Sequence, residues 1–124
     1  MYPQLNTQNG AYSVICHFNY FIPLGWRYYK NIGCFKDTGK RAIAPLDGSI
    51  ALLRGNYRAR KDSITKCAAV AALKGNSVFG VQHGGWCASS ATGHRTYAKY
   101  GRAKNCKNGK GGAWANDVYK MKSM

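Results

Sequence analysis

The spacing of the cysteines constrains this chain more than any other feature. The five cysteines stand at positions 16, 34, 67, 87 and 106, and no two are closer than eighteen residues. Structural zinc sites use paired ligands about two to four residues apart, and this sequence has no such pair. Widely spread cysteines in a short chain instead favour a disulfide framework, which forms in an oxidising compartment. We therefore expect an extracellular, secreted domain.

The cysteines can combine in several ways. Those at positions 34, 67, 87 and 106 allow three pairings, and Cys16 is then free, joined to another chain, or incidental. A zinc site from His83, Cys87, His94 and Cys106 is a minor alternative with poor spacing. A thiol nucleophile formed by Cys87 with His83 is weaker still, because no third group stands ready to orient the histidine. We expect no metal, no cofactor and no enzymatic activity.

The charge balance is strongly positive. Nineteen Lys and Arg residues face four Asp and no Glu, which gives a net charge of +15. Such a field attracts polyanions in a salt-dependent manner, whether they are glycans, anionic surfaces or nucleic acids. Basic residues cluster in residues 54–61 and 99–110, and the candidate contacts are Arg58, Arg60 and Lys61. Nucleic acid is disfavoured, because no recognised nucleic-acid-binding motif is present.

Composition changes near residue 28. Residues 1–27 hold no Lys or Arg before Arg27, whereas the rest alternates basic, apolar and Gly-rich stretches. At 124 residues the chain has room for one domain. We therefore assign residues 1–27 to an N-terminal extension and residues 28–124 to the domain.

No membrane or export signal is evident in this sequence. The best candidate for a signal peptide, residues 11–24, is interrupted by His17 and Asn19 and has no basic residue before it. No stretch approaches the ~20 apolar residues of a membrane span. We expect no membrane-spanning segment.

Local patterns predict a small α+β domain. Strands are expected over residues 29–36, 78–82 and 113–121, a turn over 37–41, and a weak helix over 92–100. The main helix is expected over residues 63–74, because Ile64, Cys67, Ala68 and Ala71 follow the helical repeat. Asp62 or Ser63 would cap its start, and Gly75 would end it. One main helix would thus pack on a short antiparallel sheet.

Several short motifs resemble the WSC domain, which lies near the PAN/apple group of extracellular modules. They are NIGCFKD at residues 31–37, RAI at 41–43, a cysteine-bearing helix, VFGVQ at 78–82, GGWCASS at 84–90 and WANDVY at 114–119. The resemblance covers about residues 28–121. It implies an extracellular, carbohydrate-binding, disulfide-stapled fold with Cys34 joined to Cys106 and Cys67 joined to Cys87.

Aromatic and amide side chains suggest a lectin-like site. Sugar sites need an aromatic face for the pyranose ring and polar groups that bracket its hydroxyls. The candidates are Trp86, Trp114, Tyr97, Gln82, Asn116 and Asp117. The competing interpretation is that both tryptophans belong to the core. A cationic host-defence protein that acts on microbial surfaces without sugar specificity is the alternative function.

Overall fold

The computed structural model describes residues 11–13 and 28–122. Its largest element is an antiparallel sheet with the strand order β1-β2-β5-β3-β4. The strands are β1 (Ala11–Ser13), β2 (Tyr28–Lys36), β3 (Val78–Gln82), β4 (Trp86–Ser89) and β5 (Ala115–Lys122). The main helix, α1 (Ser63–Leu73), packs on one face of the sheet. The predicted α+β class is therefore confirmed.

Helix α1 begins and ends where its sequence predicts. Asp62 occupies the N-cap position with a φ of 52°, although its side chain makes no capping hydrogen bond. At the other end, Gly75 has a φ of 73°. The amide of Gly75 donates to Ala72 and that of Asn76 to Ala71, which is the Schellman pattern. Glycine takes the left-handed conformation without a Cβ penalty, so this ending is built into the sequence.

The two faces of the sheet bury separate apolar groups. On the helix side, α1 packs against Phe79, Val81 and Tyr119, and Cys67 to Ala72 of the helix are all buried. On the opposite side, Phe35, Ile43, Val78, Ala88 and Val118 form a second cluster. Side chains alternate between the two faces along β3, so this strand contributes apolar residues to both clusters. The loop that carries Ile43 and the short helix α2 (Gly93–Thr96) cover the second face.

Both disulfides implied by the WSC resemblance are present. Cys34 is bonded to Cys106, and Cys67 is bonded to Cys87. The first joins β2 to the loop before β5, and the second joins α1 to β4. The alternative zinc site and the alternative thiol nucleophile are therefore wrong, because Cys87 and Cys106 are in disulfide bonds and have no free thiol. Within residues 11–13 and 28–122, no group of three potential metal-ligating side chains is found.

Three local predictions need correction. Trp86–Ser89, where no strand is expected, forms strand β4, which is hydrogen-bonded to β3. The helix expected over residues 92–100 is confined to Gly93–Thr96, followed by turns. Strand β5 begins at Ala115, so Trp114 lies just before it rather than on its face.

The β3–β4 turn accounts for the missed strand. His83 and Gly84 have φ values of 52° and 99°, which reverse the chain within three residues. A Cβ on Gly85 would lie 2.2 Å from the carbonyl oxygen of Tyr57, so this position accepts only glycine. A pair of glycines is typical of a tight turn between two strands, but it is equally typical of a loop, so the sequence pattern does not distinguish the two.

The assignment of residues 1–27 to an extension stays a prediction. Strand β1 belongs to that segment and pairs with Tyr28, Tyr29 and Lys30 of β2. Cys16 and most of the candidate signal segment lie outside the described residues. Among the helices of the described part of the chain, none is long and apolar enough to cross a membrane.

Candidate functional site

An aromatic pocket opens at the end of the β3–β4 hairpin. Its volume is about 220 Å³. The lining side chains combine three aromatic rings with cationic and amide groups, and they are Arg41, Tyr57, Gln82, His83, Trp86, Ala113 and Trp114. We call this the tryptophan pocket. It brings together Gln82, Trp86 and Trp114, three of the side chains predicted to bind sugar.

Arg41 lies against both tryptophans of this pocket. Its guanidinium carbon is 4.3 Å from the centre of the Trp86 ring and 4.9 Å from that of the Trp114 ring. Cations at such distances are attracted by the ring faces. Asp37 holds the same guanidinium through a 2.8 Å ion pair. Arg41 therefore contacts both rings, and Asp37 balances its charge.

Buried polar side chains support the pocket from below. Gln82 donates one hydrogen bond to Asp37 (2.8 Å) and one to Asn116 (3.0 Å). Burial by itself raises the pKa of Asp37. Asp37 accepts hydrogen bonds from the backbone amides of Ala42 and Thr38 and from the side chains of Arg41 and Gln82. Together these bonds outweigh the effect of burial and lower the pKa of Asp37 below its ordinary value. Asp37 is therefore a stable anion that orients Arg41.

Trp114 is presented to solvent by a strained turn. Trp114 is 55% exposed, and among the described residues no other large apolar side chain is exposed. Gly112 and Ala115 exchange two hydrogen bonds across the turn, which places Trp114 at its third position with a φ of 53°. A positive φ at this position is normally taken by glycine or asparagine. A bulky residue held there is an outlier that points to a functional constraint.

Tyr57 and His83 line one side of the pocket, and Arg58 lies against His83. The hydroxyl of Tyr57 lies 3.3 Å from Nδ1 of His83, and an Arg58 guanidinium nitrogen lies 3.0 Å from the same atom. Arg58 is exposed, whereas Tyr57 and His83 are half-buried. Arg58 therefore places a second cation beside this side of the pocket.

Two predicted sugar ligands are buried and serve the fold. Asn116 has no exposed surface and lies beneath Gln82. Asp117 is buried too, and it accepts hydrogen bonds from Asn31 and from the amide of Gly111. Neither residue reaches the tryptophan pocket. Their prediction as ligand contacts is therefore corrected, because both side chains are buried away from the pocket.

Tyr97, Arg60 and Lys61 lie away from the tryptophan pocket. Tyr97 packs edge-on against Phe35, with the ring centres 5.0 Å apart, and does not line the tryptophan pocket. Arg60 is buried, where it pairs with Asp47 at 2.6 Å and donates to backbone carbonyls. The expectation that Arg60 lies on an exposed basic surface is therefore wrong. Lys61 is exposed but borders a different surface pocket.

The predicted ligand-binding residues do not include Arg41, Tyr57 or His83, which line this pocket. Arg41 belongs to a predicted turn and Tyr57 to a basic cluster, and neither segment adjoins the tryptophans in the sequence. The one available signal was the WSC-like motif set, which includes the segment of Arg41. No family model, no curated protein and no solved structure compared with this chain gives a match.

Proposed function

We propose that this chain is a secreted, non-enzymatic module that binds glycans at the tryptophan pocket. The observation that carries the proposal is the presentation of Trp114. Its ring is largely exposed, its backbone is held at a φ of 53°, and it faces a pocket that also contains Trp86. An exposed tryptophan in a conformation that disfavours tryptophan is difficult to explain by stability alone.

The chemistry of the pocket supports a saccharide ligand. Indole rings offer flat apolar faces to the C–H side of a pyranose, and convergent polar groups set orientation. Gln82, His83 and Arg41 supply such polar groups around the two rings. The hydrogen bonds of Gln82 and the ion pair of Arg41 hold these two side chains in place before a ligand binds, which reduces the entropy lost on binding.

The disulfides support an extracellular location and a WSC-like assignment. Two disulfides are present in the described residues, and such bonds persist in oxidising compartments. Their pairing is the one that the WSC resemblance implies. We therefore keep that assignment as part of the proposal, together with lectin-like recognition.

A second candidate function rests on the charge. A net charge of +15 favours adsorption to anionic microbial surfaces without sugar recognition, as expected for a host-defence protein. Arg54 and Lys61 are exposed on a pocket that shares no residue with the tryptophan pocket. The two functions therefore depend on separable side chains.

A glycan array at about 0.15 M and about 0.5 M salt distinguishes these functions, since salt screens charge much more than ring stacking. We expect sugar preferences that persist at high salt and that Trp114→Ala abolishes. The control, Arg54→Gln with Lys61→Gln, should weaken only the adsorption lost at high salt. An array without sugar preference, or with preferences unaffected by Trp114→Ala, would contradict glycan recognition at this pocket.

A further inference from the structure

A second pocket adjoins the tryptophan pocket. It has a volume of about 420 Å³ and is lined by His83, Gly84, Asn105, Lys107, Asn108, Lys110, Gly111, Gly112 and Ala113. We call it the lysine pocket. His83 and Ala113 line both pockets, so the two form one groove across these residues. We propose that the ligand is an anionic oligosaccharide whose chain runs from the tryptophan pocket into the lysine pocket, an inference that rests on the proposed function.

Size favours a chain over a single sugar. Ligand pockets in proteins typically measure about 300–1,000 Å³. The tryptophan pocket alone, at about 220 Å³, is below that range. The groove that includes the lysine pocket falls within it. A ligand confined to the tryptophan pocket would therefore leave most of the volume of the groove unoccupied.

The lysine pocket has the chemistry of an anion site. Lys107 is exposed and Lys110 is half-buried, and both line this pocket. Among the described residues, no Asp or Glu lines the lysine pocket, so no carboxylate in its wall competes for Lys107 and Lys110. The amide groups of Asn105 and Asn108 add hydrogen-bonding capacity beside the lysines. Carboxylate or sulfate groups on a sugar chain match this arrangement, whereas a neutral chain would use only part of it.

The walls of the lysine pocket are fixed by the fold. The amide of Gly111 donates to Asp117 (2.8 Å), and Tyr119 donates to the carbonyl of Gly109 (2.6 Å). The amide of Gly84 donates to the carbonyl of Lys110 (2.9 Å), which ties this loop to the β3–β4 turn. A Cβ on Gly111 would lie 2.3 Å from the carbonyl oxygen of Val81, so only glycine allows this close approach. The loop is therefore preorganised for binding.

The test measures affinity against chain length. The probes are di-, tetra- and hexasaccharides from one sulfated, uronate-containing polysaccharide, at constant salt. We expect the affinity of the parent protein to rise about fivefold from di- to tetrasaccharide, which is the gain that two charge contacts at a protein surface supply. Lys107→Gln with Lys110→Gln should abolish this rise and leave disaccharide affinity within about twofold. The control, Lys120→Gln with Lys122→Gln, removes the same charge from exposed positions of β5 and should keep the rise.

Each contrary result has a distinct meaning. A parent protein without the rise, or equal losses in the two double variants, would overturn the extended site. Equal competition by a single-stranded oligonucleotide of the same charge would overturn it too, because binding would then follow charge alone. If the disaccharide still binds and Trp114→Ala abolishes that binding, the proposed function survives the loss of the extension. If Trp114→Ala has no effect on any probe, the proposed function fails with it.

Discussion

The side-chain amide of Gln82 donates a 2.8 Å hydrogen bond to the carboxylate of Asp37, a residue 45 positions earlier in the chain. Both side chains are buried. Because Asp37 also holds Arg41, this bond links the floor of the tryptophan pocket to the cation that stacks on its rings. The geometry of the site thus depends on one ionised carboxylate.

Substitution of that carboxylate should give a pH-dependent loss of stability. Asp37→Asn should lower the free energy of unfolding by about 2 kcal/mol at neutral pH, because Arg41 loses its charged partner. The folded-state pKa of Asp37 lies below its ordinary value of 3.8, so its stabilisation is complete well above pH 3.8 and is lost as the pH falls through the folded pKa. Denaturant unfolding from about pH 7 to about pH 2 measures the difference between parent and variant.

The difference should shrink towards zero at the acidic end of that series. Asp62→Asn is the control, because Asp62 is exposed and its side chain makes no capping hydrogen bond. We expect that control to change stability by less than about 0.5 kcal/mol. A deficit in Asp37→Asn that stays constant down to about pH 2 would show that the ionised carboxylate is not what stabilises the fold.

Elements with a strong local pattern could be predicted from the sequence. Helix α1 matches its prediction to within one residue, because an alanine-rich helical repeat ends at a glycine. The bounds of strand β3 match the prediction at both ends, because the alternating sequence VFGVQ is flanked on each side by residues that favour turns. The disulfides could not be derived from spacing alone, and their pairing came from the family resemblance.

What sequence reasoning missed depends on tertiary contacts. Arg60 stands in a run of basic residues that resembles a solvated surface, yet the fold buries it against Asp47, thirteen residues away. Asn116 and Asp117 lie on opposite faces of β5, as neighbouring strand residues do, but both faces are covered there and both side chains are buried. Trp86 and Trp114 line one pocket, in which Arg41 lies against both rings. Each outcome is set by a residue distant in sequence, which local patterns cannot reveal.

Arg58 and Arg60 are neighbours of the same charge and should behave in opposite ways. Arg60→Gln removes an ion pair to Asp47 and leaves the carbonyls of Leu53 and Gly85 without their donor. We expect a loss of about 3–5 kcal/mol, as found when one partner of a buried ion pair is removed. Arg58→Gln should change stability by less than about 0.5 kcal/mol, because Arg58 is exposed. Denaturant unfolding of both variants provides the comparison, and similar losses would contradict the buried role of Arg60.

The buried face of α1 offers a direct test of the core. Ala68 has no exposed surface, so Ala68→Asp places a carboxylate in an apolar environment without a partner. We expect a loss of more than about 2 kcal/mol. The matched control is Ala91→Asp, the same change at an exposed position before α2. Equal melting temperatures for the two variants would show that α1 does not pack on the sheet as described.

The strained turn at Trp114 predicts that stability and binding can be separated at one position. Trp114→Ala and Trp114→Gly both remove the ring, so both lose its contact with Arg41 and the proposed sugar platform. Only glycine adopts a φ of 53° without a Cβ penalty, which costs other residues roughly 1–2 kcal/mol. We therefore expect Trp114→Gly to be about 1 kcal/mol more stable than Trp114→Ala, with glycan binding abolished equally in both.

The two variants serve as controls for each other, because they differ by one methyl group and share the loss of the indole. Denaturant unfolding gives the difference in stability, and the glycan array gives the loss of preference. Equal stability would mean that the turn relaxes to a negative φ once the ring is gone. Retained sugar preference in the stabilised Trp114→Gly variant would show that the strain at this turn does not serve ligand binding, since the residue that bears it would then be dispensable for recognition.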